Sequence, residues 1–234
     1  MITKKEFCGR VDFARLTHNH SRADMAAACE AAVKYGFAAM CVNQCEVSFC
    51  STQLKGSGVG VGTVIGYPLG ANTTATKVFE AKDAIGNGAD ELDVVMNVSR
   101  FKDGDYGYVL DELKQVINAA KSAKPDAIIK VIIERYYITD EELPKACELV
   151  IESGADYVKQ ATGYAPEDLA DGVADIRMIK RIVGGRIKIK SAFGCKETLK
   201  EFAEAIEAGA DRVGTPVADI KLEQTPDSFW KAEP

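Results

Sequence analysis

Short apolar runs of β-prone residues recur along the chain, each closed by Gly, Asn or a polar residue and each followed by a stretch of helical period. Eight such runs predict strands: Gly9–Ala14, Phe37–Asn43, Gly60–Gly66, Glu91–Asn97, Ala127–Glu134, Asp156–Lys159, Ile187–Lys190 and Arg212–Thr215. Between them the spacing predicts helices over Ala23–Tyr35, Thr74–Asn87, Tyr106–Ala123, Asp140–Ser153, Val173–Val183 and Lys196–Ala208. Several strands are introduced by one phrase: Tyr35-Gly36-Phe37-Ala38, Asn87-Gly88-Ala89-Asp90, Ser153-Gly154-Ala155-Asp156 and Ala208-Gly209-Ala210-Asp211. In each, glycine suits the left-handed position that ends a helix, and a small residue follows as the chain turns into the sheet.

This repeated helix–Gly–strand unit predicts an α/β fold, a single-domain (β/α)8 TIM barrel, because closure buries every parallel strand and leaves no edge. A doubly wound open sheet has the same periodicity but would carry a glycine-rich phosphate turn after its first strand, and none follows Gly9–Ala14. No linker or low-complexity stretch divides the chain. The expected organisation is therefore a barrel over 1–220 and a charged tail over 221–234, whose Phe229-Trp230 suits a surface or a subunit contact.

Alternation within strands locates the chemistry. In Glu91–Asn97, Leu92, Val94 and Met96 share the helix-packing face, so Glu91, Asp93, Val95 and Asn97 point into the barrel. The same test turns Lys130, Ile132 and Glu134 inward, and with them Lys159, Lys188 and Lys190. Buried charges are costly unless paired, so these groups must form a compensated network. Such a network marks a functional site, although a purely structural ion-pair cluster has the same appearance. Lys159 and Lys190 fall on consecutive strands, about 4.8 Å apart between axes. Two ammonium groups converging in a low-dielectric place repel, and that repulsion favours the uncharged amine that attack on a carbonyl requires. One lysine can then condense with a carbonyl, while Asp93, on a strand farther round, shuttles protons. The implied reaction is imine-dependent making or breaking of a carbon–carbon bond.

Composition narrows the alternatives. With 234 residues, 47% hydrophobic and 27% charged, the chain suits one soluble domain, and a net charge of −6 without a basic cluster argues against a nucleic-acid partner. Met1 to Arg22 has no apolar core of signal-peptide length, and no stretch approaches the roughly 18 apolar residues of a membrane helix, so a cytoplasmic protein with no membrane partner is expected. Seven cysteines, an odd number with no C-x-x-C pair, encode neither a disulfide framework nor a zinc knuckle. Cys41 ends an apolar run and reads as a small buried residue, and His18 and His20 suit a solvated loop. Neither a metal nor a cofactor is called for.

The motifs now on the page resemble those of the deoxyribose-phosphate aldolases. The resemblance runs from about Asp12 to Thr215 and rests on Phe37–Asn43, Thr63–Thr74 with its Gly66-Tyr67-Pro68-Leu69-Gly70-Ala71-Asn72-Thr73-Thr74, Ala89–Asn97, Lys130–Glu134 and Val158-Lys159. It implies a metal-free class I aldolase on a (β/α)8 barrel that reversibly joins acetaldehyde to glyceraldehyde 3-phosphate, giving 2-deoxyribose 5-phosphate. By position, Lys159 matches the imine-forming lysine, Lys190 the lysine that suppresses its protonation, and Asp93 the proton-relay aspartate. Lys130 matches an accessory lysine, Cys41 a cysteine near the site, and Asp12 the first-strand aspartate. The resemblance also implies a small aldehyde or sugar phosphate as partner and a homodimer or higher homo-oligomer.

The departures fall in the turns that grip the substrate. Where the family reads Thr-Ser-Thr-Gly, Ala-Ser-Gly-Gly and Gly-Thr-Ser-Ser, this chain has Gln160-Ala161-Thr162-Gly163, Ser191-Ala192-Phe193-Gly194 and Gly214-Thr215-Pro216-Val217. Thr162, Gly163, Gly194 and Gly214 remain as candidate substrate-binding positions. Pro216 offers no N–H and Val217 no hydroxyl, and Phe193 stands where a backbone should approach an anion. Loss of two or three donors, each worth roughly 1.5–3 kcal/mol to a charged acceptor, opens a second reading: the same chemistry on a non-phosphorylated or otherwise different aldehyde or ketone. The first-strand Asp12-Phe13-Ala14 lacks the family's hydroxyl, and no tyrosine follows Tyr164 to serve as the C-terminal tyrosine of some members. A non-enzymatic barrel would leave the retained lysines without a reason.

Overall fold

Eight parallel strands follow one another in chain order and close on themselves. They are β1 (Val11–Arg15), β2 (Ala39–Val42), β3 (Gly60–Ile65), β4 (Glu91–Val95), β5 (Ile128–Ile132), β6 (Tyr157–Lys159), β7 (Lys188–Ala192) and β8 (Arg212–Thr215). The computed structural model describes residues 2–164, 172–193 and 196–232. Closure through β1 and β8, with Phe13 opposite Thr215, decides between the two architectures compatible with the periodicity: this is the barrel. Leu92, Val94 and Met96 lie in the core between sheet and helices, as alternation predicts.

The repeated phrase is one turn used four times. Gly36 (φ 67°), Gly88 (φ 102°), Gly154 (φ 83°) and Gly209 (φ 119°) all take the left-handed conformation at the passage from helix to strand. The helix Arg22–Tyr35 starts on Ser21, whose side chain accepts from Asp24 N, and the helix Leu199–Ala208 starts on Thr198, which accepts from Glu201 N.

Boundaries moved where local bonding overrode the apolar pattern. Phe37 belongs to the preceding helix cap, its N–H donating to Ala32 O at 3.0 Å, so β2 begins at Ala39. β5 ends at Ile132 because Glu134 turns to φ 50°. Four further helices carry too few residues to display a 3.6-residue period in the sequence: Lys4–Cys8, Val47–Gln53, Val98–Lys102 and Ala218–Gln224. The last of them runs through residue 220. Beyond it Trp230 packs on Phe7 with ring centroids 5.4 Å apart, and Lys231 N donates to Ile2 O at 3.2 Å, so this segment lies on the chain's own first helix. No helix among the described residues is long and apolar enough to cross a membrane.

Candidate active site

Register brings the inward charges together. Asp93 on β4 lies opposite Lys130 on β5, Lys159 on β6 opposite Lys190 on β7, Lys190 opposite Arg212 on β8, and Asp12 on β1 opposite Gly214. Asp93 Oδ2 accepts from Lys159 Nζ at 2.8 Å and from Lys190 Nζ at 2.7 Å, and Lys130 Nζ stands 3.4 Å from Oδ1. Asp12 Oδ2 faces Lys130 Nζ at 2.9 Å and Lys190 Nζ at 2.6 Å. Arg212 joins the other side, bonding Asp12 and, at 2.8 Å, Glu91 Oε1, while Lys130 also donates to Glu91. Lys159, Lys190 and Asp93 are all buried.

Burial opposes charge at Asp12, Asp93, Lys130, Lys190 and Arg212, and the partners outweigh it. Asp93 is held well below the ordinary carboxylate range by Lys130, Lys159 and Lys190, and Asp12 is likewise depressed by Lys130, Lys190 and Arg212. Lys190 is raised above an ordinary lysine by Asp12 and Asp93, and Lys130 is raised further by the same two carboxylates and Glu91. Lys190 is therefore a fixed cation beside Lys159. The sequence suggested bare repulsion between two amines; the structure has a shared carboxylate oxygen between them. Four cations (Lys130, Lys159, Lys190, Arg212) meet three carboxylates (Asp12, Glu91, Asp93), leaving one surplus proton in the cluster.

The remaining predicted positions separate into layers. Asp12 and Lys130 lie beneath the two lysines with their polar atoms committed to the network. Cys41 is buried, and burial pushes its thiol up to about 11. Thr162 bonds on three sides: its N–H to Glu134, its carbonyl to Tyr67 Oη at 2.8 Å, and its Oγ1 to Tyr164 N at 3.1 Å. Gly163 is exposed with φ 87°. A Cβ on Gly214 would lie 3.1 Å from Lys190 Cε, so this glycine gives Lys190 its path. Gly194 lies outside the described residues.

Three expectations change. Lys188 shares the parity of Lys190 but sits at the first position of β7, exposed, with Nζ 5.4 Å from the Tyr157 ring centroid; it is outside the buried network. Asn97 gives its side-chain oxygen to the helix Val98–Lys102, accepting from Arg100 N at 3.1 Å. Phe193 packs its ring on Phe202, with centroids 5.1 Å apart, and beside Gly172, so it is engaged by the outer helices. Arg212 was the network member not anticipated; its place as the first inward residue of β8, two before Gly214, was the available signal. Glu134 also gained importance. It lines a cavity of about 630 Å³ at the carboxyl ends of β4 to β6 together with Val95, Thr162 and Tyr164.

Comparison with known proteins agrees with this geometry. The family model described as "DeoC/LacD family aldolase" matches residues 9–217. A deoxyribose-phosphate aldolase of Thermoanaerobacter pseudethanolicus is 44% identical over 91% of this chain and 93% of its own length. A solved structure described as "QR15, an Aldolase" superposes with a TM-score of 0.86 at 38% identity, covering 96% of both chains. The deoxyribose phosphate aldolase of Aeropyrum pernix, described as having a unique tetrameric structure, gives a TM-score of 0.85 at 26% identity over 95% of this chain and 91% of its own. On this match, on the closed barrel and on the lysine pair meeting one aspartate, the chain belongs to the DeoC/LacD family of aldolases.

Proposed function

We propose that this chain reversibly cleaves 2-deoxy-D-ribose 5-phosphate to acetaldehyde and D-glyceraldehyde 3-phosphate through an imine on Lys159. The observation that carries the reading is the single oxygen, Asp93 Oδ2, on which Lys159 and Lys190 both close. Lys159 Nζ passes the cluster's surplus proton to Asp93, with which it is in contact, and adds to the substrate's aldehyde carbon. The resulting hydroxyl departs as water with a proton relayed by Asp93, leaving an iminium. The bond between the α and β carbons then breaks, its electron pair moving toward the iminium to form an enamine, while the β-carbon's hydroxyl gives its proton to a base and becomes the aldehyde of D-glyceraldehyde 3-phosphate. Protonation and hydrolysis release acetaldehyde and restore the amine. Lys190 stabilises the departing hydroxyl as a fixed cation. Asp12 and Lys130 hold Lys190 and Asp93 in place, while Cys41, Thr162, Gly163 and Gly214 contribute the wall and turns around the substrate.

Borohydride reduction in the presence of acetaldehyde is expected to add two carbons to the peptide holding Lys159 and to inactivate the protein. Absence of that adduct defeats the reading. The phosphate is tested separately. Val217 N donates to Thr215 Oγ1 at 3.3 Å, and the Pro216 carbonyl accepts from Arg15, so part of the last turn is engaged within the protein. A phosphate held by two charge-assisted donors is expected to be worth roughly 100-fold in kcat/KM over plain deoxyribose. A ratio near one instead assigns the same chemistry to a non-phosphorylated substrate. The reading also has the chain working in the cytoplasm as a homo-oligomer, supported by the tetrameric relative; a monomer mass by light scattering overturns the assembly.

A further inference from the structure

Glu134 is a buried carboxyl that the imine chemistry above does not use. It is 5% exposed and takes φ 50°, the one positive φ among the described non-glycine residues, a conformation that costs an L-residue free energy. Its Oε2 accepts from Thr162 N at 3.1 Å, and its Oε1 has no hydrogen-bond partner among the described residues. A buried oxygen left in that state is costly unless a proton or a ligand completes it. Its position is specific. Ile132, two residues earlier, is paired in the sheet with both Val95 and Lys159. Beyond the end of the strand Ile133 N donates to Lys159 O at 3.0 Å and Arg135 N to Gln160 O at 2.9 Å, so Glu134 stands just past the level of Lys159 toward the open end. There it lines the 630 Å³ cavity with Val95, Thr162 and Tyr164.

We propose that Glu134 is a further catalytic acid–base group of this aldolase, acting on the oxygen of the acceptor aldehyde held in that cavity. The inference rests on the imine reading above and assigns it a second proton-transfer partner. In the direction of synthesis the enamine carbon bonds to the acceptor carbonyl carbon, and the C=O π pair moves onto oxygen. That oxygen takes the Glu134 proton, leaving a carboxylate and an iminium. In cleavage the carboxylate removes the hydroxyl proton, the C=O re-forms, and the carbon–carbon electron pair returns to the enamine. Burial raises the Glu134 carboxyl above the ordinary range, against the opposing pull of the Thr162 bonds and of Lys159, which suits an acid in the first direction. Division of labour follows: Asp93 serves the nitrogen end of the reaction and Glu134 the oxygen formed or lost at the new bond.

The test separates the donor half-reaction from bond formation in wild type and in Glu134→Gln, whose amide oxygen can still accept from Thr162 N. Borohydride trapping of acetaldehyde on Lys159 and deuterium uptake into the acetaldehyde methyl are expected to stay within threefold of wild type. Aldol addition and cleavage are expected to fall about 100-fold or more, the usual scale of a lost general acid. Glu134→Asp, which keeps a carboxyl, should recover at least tenfold of that loss. Cleavage by Glu134→Gln within threefold of wild type overturns the assignment. So does parallel loss of trapping, exchange and cleavage, which would mean that Glu134 only positions the Thr162 turn. A wild-type protein that traps no acetaldehyde removes the imine reading itself, an outcome distinct from both.

Discussion

Gly214 shows how little space separates a working lysine from a displaced one. A methyl group there would approach Lys190 Cε at 3.1 Å and Ser191 O at 3.3 Å, and the backbone carbonyl cannot yield as a side-chain end can. Gly214→Ala is therefore expected to shift Lys190 against Asp93 by a few tenths of an ångström and to lower kcat by roughly 10-fold, while the circular dichroism spectrum of the barrel persists. Activity within a factor of three would mean that Lys190 tolerates the shift. The residue was legible in the sequence only as a turn glycine of the family; its steric reason depends on the β7–β8 register, which no local pattern encodes.

Among the elements, the helices Thr74–Gly86 and Tyr106–Ala123 are joined by a buried pair that steadies the end of β4. Lys77 Nζ donates to Glu112 Oε1 at 2.6 Å and to the Val95 carbonyl at 2.9 Å, both side chains being fully buried. Burial lowers Lys77 and raises Glu112, each opposed by the other's charge. Lys77→Met should cost about 3–5 kcal/mol in chemical denaturation, because it strands a buried carboxyl, and Lys77→Met with Glu112→Leu should recover most of that loss. Equal losses in the single and double variants would show that Lys77 acts by packing alone. The strands' period of two exposed Asp93, Lys130, Lys159 and Lys190 directly, because a charge in an apolar run has no other explanation. The helix pair was invisible for the opposite reason: Lys77 lies in a helix that carries polar residues throughout, and only tertiary packing buries it. Lys188 erred in the other direction, since alternation fixes a side chain's face but not its depth along the barrel.

At the scale of the whole molecule the central network ties acid stability to the site. Asp12 and Asp93 have depressed folded values, so their contribution is complete above the unfolded carboxylate pKa of about 4 and is lost as pH falls through the folded value. Lys130 and Lys190 are raised, so theirs is complete below the unfolded lysine value of about 10.4 and fails only above it. Melting curves should show the network's contribution constant from about pH 5 to 9, with a steep acid limb below pH 4 that Asp12→Asn flattens. A melting temperature that already falls between pH 7 and 5, and does so equally in Asp12→Asn, would locate acid sensitivity elsewhere.

The network has a directional character along the chain. Its acids, Asp12, Glu91 and Asp93, all belong to the first four strands, and its bases, Lys130, Lys159, Lys190 and Arg212, all belong to the last four. Neither half could shelter its own like charges in a dry interior. Each supplies the counterions of the other, so the closed ring is an electrostatic dimer written in one polypeptide, and the centre that holds the substrate forms only where its two moieties meet.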